Sequence, residues 1–323
     1  MGSKLLFFKE KDADLKYLKG KTIAVIGYGS QGKAQALNLK DKGLDVIIGL
    51  PKKSRKRKIA KKDGFEVFST EDATKKAEVI SFLAPDHLHQ EIFETQIKRY
   101  LKKGQALIFA HAFSVHFKLI KPPKYVDVIL VAPHGPGELL RKNFQKGEGL
   151  TSFFAIHQDY SKNAKKLGLA YAKGCGLIKP LSIKTTFEDE AIGDIFGEQA
   201  VLCGGLSELI KSGFETLVED GFSPENAYFE CVYQIDLIVD LIKSYGISGM
   251  YERISKLAEY GSYLSGKRVI NKDQMKKILK EIKTGKFTRR FLKEFKSGGE
   301  NYKKIKRAFQ KHLLERIASK TLK

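Results

Sequence analysis

Three carboxylates in the stretch TTFEDEAIGDIFGEQAVLCGGLSELI, Glu190, Asp194 and Glu198, recur at every fourth position, which on one helix aligns them in a single stripe. Like charges at that spacing repel, and the flanking positions, Thr186 and Leu202, supply no cation. Ile195, Phe196, Ala200, Val201 and Leu202 predict a largely buried helix, where unpaired carboxylates are expensive. A hard divalent cation would remove the conflict; all-oxygen donors without His or Cys at ligand spacing predict Mg²⁺ or Mn²⁺ rather than zinc. The competing reading is a solvated acidic face. In ENAYFECVYQIDLIVDLIKSYG, Glu230 and Gln234 lie four residues apart among apolar side chains. Alone, that pair is equally compatible with Glu230 meeting a lysine of the tail.

A second kind of chemistry is written near the start. The β-branched run TIAVIG (22–27) leads into Gly27-Tyr28-Gly29-Ser30-Gln31-Gly32 and then a helix-compatible stretch closed by Gly43. Strand, glycine turn and helix in that order form a pyrophosphate cradle: the glycines permit close backbone approach, and the helix N-terminus offers unpaired N–H groups. The next strand, LDVIIG (44–49), is where an NAD enzyme places an acid for the ribose 2′-hydroxyl. Here it is followed by Leu50-Pro51-Lys52-Lys53-Ser54-Arg55-Lys56-Arg57-Lys58. Ser54 and surrounding cations such as Lys56 would bind a 2′-phosphate by charge-assisted hydrogen bonds, so NADP(H) is expected over NAD.

The elements that must position these groups follow an α/β rhythm. AEVISFLAP (77–85), QALIFAHAF (105–113), VDVILVAPHGPG (126–137) and GLTSFFAIHQ (149–158) are predicted strands, giving a doubly wound, mostly parallel sheet whose ligands bind beyond the strands' carboxyl ends. Pro85-Asp86, His111 and His134 occupy those ends. From about residue 182 helical periodicity takes over, so a Rossmann-type domain over 1–181 and an all-α domain over 182–323 are expected.

Composition restricts the remaining classes. The 323 residues are 42% hydrophobic and 11% aromatic, enough to exclude a disordered chain. No apolar run reaches the roughly 18 residues of a membrane span, and the first residues lack a signal-peptide pattern. Cys175, Cys203 and Cys231 sit in apolar sequence without metal-ligand spacing, which predicts core packing and a reducing cytoplasm. The net charge of +22 is concentrated in residues 51–62 and in the tail from 267 onward. That tail has the pattern of amphipathic surface helices, read as a solvated face before nucleic acid or a membrane surface.

GYGSQG, FAHAF, APHGPG, TTFEDE, DIFGEQAVLCGG, ETLVEDGFSPENAYFEC and AEYG occur in this order, and with them the chain resembles a short-form ketol-acid reductoisomerase from about Phe7 to the last helix. The resemblance implies NADPH and Mg²⁺, alkyl migration in 2-acetolactate-type 2-hydroxy-3-oxo acids followed by ketone reduction, and a place in branched-chain amino-acid synthesis. It also implies C-terminal helices intertwined between two chains in a knotted arrangement, a homodimer or higher oligomer with a shared site. By motif, Asp194 and Glu198 resemble the metal ligands, Glu190 belongs to the same constellation, and Glu230 resembles the carboxylate given by the partner chain. Ser255 resembles the residue that holds the substrate's carboxylate, and His111 the histidine of the reductive half. Gly27, Gly29, Gln31, Gly32 and Ser54 are the implied cofactor contacts; Lys56 in the cationic loop and Pro85 at a strand end are further candidates from the residues themselves.

Departures from the family pattern fall in the chemistry. His134 stands where the family has Lys, Gln234 where it has a second Glu, Ala112 for Gly, Lys33 for His, and Pro51 for Arg. His134 is mostly neutral at pH 7 where Lys is a fixed cation, so one positive and one negative charge leave together. Three readings follow in order: an active reductoisomerase; a paralogous NADPH reductase of a related 2-oxo acid or imine with weakened isomerisation; and a non-catalytic cofactor-binding protein whose basic tail engages nucleic acid.

Overall fold

The apolar runs read from the sequence all become strands of one sheet. The computed structural model, which describes residues 6–321, contains β1 (Phe7–Phe8), β2 (Thr22–Ile26), β3 (Asp45–Gly49), β4 (Glu66–Phe68), β5 (Val79–Phe82), β6 (Ala106–Phe109), β7 (Asp127–Pro133), β8 (Ser152–Gln158) and β9 (Ser182–Lys184). Their spatial order is β1-β9-β8-β7-β6-β5-β2-β3-β4. Pairing is parallel from β4 through β7, antiparallel between β7 and β8, parallel again to β9 and antiparallel to β1.

The helices of this region are α1 (Ser30–Asp41), α2 (Lys56–Lys62), α3 (Thr70–Lys76), α4 (His89–Ile92), α5 (Phe113–His116), α6 (Gly137–Gln145), α7 (Ala164–Cys175) and α8 (Phe187–Gly197). Successive strand residues point to opposite faces. Ile23, Val25, Ile108 and Val131 pack with Leu39 of α1, Leu140 of α6 and Leu169 of α7. Ala24, Ile26, Leu107 and Leu130 pack with Ala73 of α3, Val115 of α5 and Phe93. Both faces being covered explains why these strands read as continuous apolar runs.

The chain divides into two compact units, Met1–Ala191 and Ile192–Lys323, against the expected division at 181/182. The difference is β9 and the opening of α8. Ser182 is buried with its Oγ 2.8 Å from that of Ser152, and Phe187 and Ala191 join the second apolar layer. β1, β4 and β9 are too short for alternation to show in the sequence.

The second unit is helical, as expected: α9 (Gly204–Glu219), α10 (Pro224–Tyr228), α11 (Ile235–Tyr251), α12 (Lys256–Val269), α13 (Lys272–Lys283), α14 (Lys286–Lys296), α15 (Glu300–Gln310) and α16 (Leu313–Thr321). π-Helical turns occupy Glu198–Leu202 and Phe229–Tyr233, and α11 is broken at Gly246, whose φ of 74° no helix accommodates. Its buried core gathers Phe214, Ala227, Tyr228 and Ile317. The expectation that all three cysteines are core residues is corrected here: Cys175 is buried, Cys231 half-buried and Cys203 exposed. Cys203 follows the π turn that presents Val201 and Leu202 outward, so apolar neighbours in sequence give it no cover from its own chain. Among the described residues no helix is long and apolar enough to cross a membrane.

Candidate active site

The glycine turn is built as a cradle. Gly27 has φ +104°, and a Cβ there would lie 2.5 Å from the Leu83 carbonyl oxygen, so the turn presses against the end of β5. A Cβ at Gly32 would meet the Gly27 carbonyl oxygen at 2.4 Å. Gly29 differs: open space faces it, and as the residue before α1 it places no side chain over the helix's first amides. That combination fits a phosphate-bearing cofactor. Gln31 also ties the turn to its surroundings. Its amide donates to the Gly135 carbonyl at 2.8 Å and accepts from Gln35 at 3.0 Å, bracing the turn against the loop after β7.

Beyond β3, Leu50 is buried and Ser54 half-buried, with exposed Lys52, Lys53, Arg55, Lys56 and Lys58 around it. The Ser54 hydroxyl accepts from the Lys56 amide at 3.3 Å. Arg57 is committed to the fold, donating to the carbonyls of Leu50, Phe68 and Val67 at 2.8 to 2.9 Å. The far end of α2 is pinned by Asp63, which accepts from the Tyr28 hydroxyl at 2.8 Å and pairs with Lys33 at 3.0 Å. Partial burial pushes the Asp63 carboxyl up, but the hydrogen bonds from Lys33 and Tyr28 outweigh it and hold it below the usual carboxylate range. Lys33, a departure from the family pattern, thus has a local partner.

At the ends of β5 and β6 the predicted residues come together. His111 stands between two carboxylates, with Nδ1 4.0 Å from Asp86 Oδ1 and Nε2 4.0 Å from Glu190 Oε2. Glu190 is 2% exposed and accepts from the Ala112 amide at 2.8 Å. The His111 ring stacks on Phe113 at 5.9 Å. Pro85 is exposed at the turn after β5. One turn further, His134 follows β7, its Nδ1 3.0 Å from Thr151 Oγ1 and its ring edge-on to Phe153 at 4.3 Å. An imidazole flanked by carboxylates can hold a proton and return it.

Sequence reasoning missed His89. It is 3% exposed, stacked on Phe82 at 4.2 Å, and bonded at both ring nitrogens. Its only sequence signal is a polar residue in PDHLHQ, next to a second histidine that is not buried.

The second unit supplies the other predicted groups. Asp194 and Glu198 are exposed, not buried as the apolar neighbours implied. Glu190 accepts from the Ala112 amide beside the apolar layer, Asp194 lies in the same uninterrupted α8, and Glu198 is the first residue of the π turn that follows. Among the described residues no three His, Cys, Asp or Glu side chains gather at metal-holding distance. Glu230 and Gln234 are exposed at the second π turn, and the Gln234 amide donates to the Phe229 carbonyl at 3.2 Å. Ser255 caps α12, its hydroxyl accepting from the Ala258 amide at 3.1 Å.

A dinucleotide cradle on a parallel sheet, with a histidine and carboxylates at the neighbouring strand ends, defines a nicotinamide-dependent oxidoreductase of Rossmann type. Residues 17–180 match the acetohydroxy acid isomeroreductase NADPH-binding domain, and residues 187–323 match the ketol-acid reductoisomerase C-terminal domain. The protein belongs to the ketol-acid reductoisomerase family. It is 42% identical to an NADH-preferring ketol-acid reductoisomerase from an uncultured archean, covering 99% of this chain and 98% of that one with a TM-score of 0.93. A semialdehyde dehydrogenase NAD-binding protein from Cupriavidus necator shares the fold alone, at 18% identity, TM-score 0.64 and coverage of 82% and 99%. So does a pyrroline-5-carboxylate reductase from Coxiella burnetii, at 14% identity, TM-score 0.57 and coverage of 81% and 96%.

Proposed function

We propose that this protein is an NADPH- and Mg²⁺-dependent ketol-acid reductoisomerase that acts on 2-acetolactate-type substrates as a homodimer. The observation that carries the reading is the His111 pair of carboxylate contacts at the strand ends beside the glycine cradle. When bound, the nicotinamide supplies a hydride and the divalent cation polarises the substrate oxygens. His111, between Asp86 and Glu190, holds the proton exchanged with the substrate oxygen; Glu190, buried and tied to the Ala112 amide, keeps the ring aimed. Asp194 and Glu198, hard oxygen donors four residues apart and open to solvent, are suited to Mg²⁺. Glu230 of a second copy would add a donor, and Ser255 would hold the substrate's carboxylate.

NADPH is favoured by the absence of an acid from 50 to 62 and by the exposed cations around Ser54. The NADH preference of the 42% identical relative supports the opposite choice, and Arg57 is already engaged by three carbonyls. A second copy is favoured by the exposed apolar side chains of the helical unit, Leu202, Leu237, Leu257 and Tyr260 among them. Three cysteines without a disulfide suit a cytoplasmic setting.

A second reading rests on His134 and Gln234. An amide carries no charge and an imidazole is not a fixed cation, so neither supplies the fixed charge of the family pattern. On that reading alkyl migration is weakened and reduction of a 2-oxo acid persists. NADPH oxidation with Mg²⁺, run in parallel on 2-acetolactate and on 3-hydroxy-3-methyl-2-oxobutanoate, separates the two. Turnover of both supports the reductoisomerase, and turnover of the second alone supports the reductase. In the latter case a His134→Lys, Gln234→Glu double variant should gain acetolactate turnover; no gain would count against a charge-based explanation.

A further inference from the structure

The loop after β5 carries Pro85 and Asp86, and the segment after β6 carries His111, yet no strand pairing holds these two loops together beyond Phe82 and Phe109. His89 does so. Its Nε2 lies 2.8 Å from the Ala84 carbonyl oxygen, and its Nδ1 lies 2.8 Å from the hydroxyl of Ser114 in α5. A carbonyl oxygen only accepts, so Nε2 carries the hydrogen, and in the neutral ring Nδ1 then accepts from the Ser114 O–H. The ring is stacked on Phe82, the last residue of β5, at 4.2 Å and 20°, and lies 6.5 Å from Phe109, the last of β6.

The Ala84 peptide is also part of the floor of the cofactor turn, since a Cβ on Gly27 would lie 2.8 Å from the Ala84 nitrogen. One imidazole therefore links that floor to the helix that follows His111. It lies 3.9 Å from Asp86 Oδ1, the same oxygen that is 4.0 Å from His111.

We propose that His89 is a positioning residue for the reduction step, a neutral Nε2–H imidazole that staples the loop after β5 to α5 and so sets Pro85, Asp86 and His111 in register. Burial, which lowers the basicity of His89, agrees with the neutral form. The inference rests on the reductoisomerase reading for its kinetic consequence, and on the two hydrogen bonds alone for its structural one. Glutamine can reproduce the pattern, its N–H₂ donating to Ala84 and its oxygen accepting from Ser114, whereas leucine fills the space and makes neither bond.

The test uses the full-length protein with NADPH, Mg²⁺ and the pre-rearranged 3-hydroxy-3-methyl-2-oxobutanoate. His89→Leu should lose about tenfold or more in kcat with little change in KM for the ketone, because a misplaced group slows the step without removing binding. His89→Gln should stay within about threefold of the parent, and Ser114→Ala should fall between them. A readout independent of turnover is the ¹⁵N spectrum of the His89 ring, expected to show a protonated Nε2 and a bare Nδ1 at neutral pH. A kcat for His89→Leu equal to the parent's, or a glutamine variant as slow as the leucine one, would overturn the kinetic role. A charged ring or the other tautomer would overturn the staple. If His89→Leu does not fold, His89→Gln and Ser114→Ala still decide. If the parent reduces neither substrate, the functional reading fails while the ¹⁵N spectrum still tests the staple.

Discussion

The sheet unit and the helical unit differ in how far each covers its own apolar side chains. In the sheet unit, two layers of helices close over nine strands among the described residues, and the most exposed large apolar residue described there is Leu6 at 51%. In the helical unit the buried set is small, while Leu257 is 85% exposed and Leu202 67%. Exposed apolar faces of that extent are characteristic of surfaces made for another chain. The polar groups divide in the same way. His111, Glu190 and His89 are held by contacts within the sheet unit, whereas Asp194, Glu198, Glu230 and Gln234 are exposed. One unit holds its polar groups in its interior, and the other carries them at its surface.

The strongest way to break this contrast is to charge the uncovered face. On the proposed homodimer, Leu257→Asp should cause dissociation in sedimentation and lower turnover about a hundredfold or more while leaving cofactor binding by the sheet unit intact. An unchanged sedimentation coefficient would mean the face is not an interface. Next in size is Asp194→Asn. It should cost on the order of a hundredfold in Mg²⁺-dependent acetolactate turnover, with the NADPH dissociation constant within about twofold of the parent. A variant with full turnover at the same Mg²⁺ concentration would remove Asp194 from the proposed metal site.

Within the sheet unit, Ser54→Asp should move the ratio of kcat/KM for NADPH over NADH toward NADH by about tenfold or more, since a carboxylate repels a 2′-phosphate and binds a ribose hydroxyl. A parent that already prefers NADH would reverse the cofactor assignment. The smallest effect concerns acid stability. His89 titrates below its usual value of 6.5 because it is buried, so the unfolded chain takes the proton first. Its stabilising contribution is present above 6.5 and is lost as pH falls through the folded value. His89→Gln should therefore show a shallower decline in melting temperature between pH 6.5 and the acid limb than the parent does.

Much of the sheet unit was legible because its signals are local. β2, the Gly27–Gly32 turn and α1 are consecutive in the chain, and the alternating burial of Ile23, Ala24, Val25 and Ile26 needs only the period of a strand. His111 and His134 were legible as residues following strands. His89 was not, because its partners, Ala84 and Ser114, come from different loops and only the parallel pairing of β5 with β6 brings them together. The side-chain partner of Gln31 was hidden in the same way, because the Gly135 carbonyl that its amide meets lies 104 residues further along the chain. The carboxylate stripe was legible in its spacing, since α8 runs from Phe187 to Gly197 and Glu198 follows it directly, but the exposure of Asp194 and Glu198 was not.

The sequence by itself determined the six longer strands and the helical second half, the cradle for a dinucleotide, the lack of an acid after β3 and the family-specific motifs from GYGSQG to AEYG. Those depend on residue type and near-neighbour spacing, which the chain carries without folding. Only the tertiary structure decided that Glu190 accepts from the Ala112 amide beside His111, that Arg57 and Asp63 anchor the two ends of α2, and that His89 bridges two loops. Each of those choices is a competition among donors for a limited number of buried acceptors. Its outcome is set by which backbone groups the sheet leaves unpaired, a quantity that exists only once the strands have assembled.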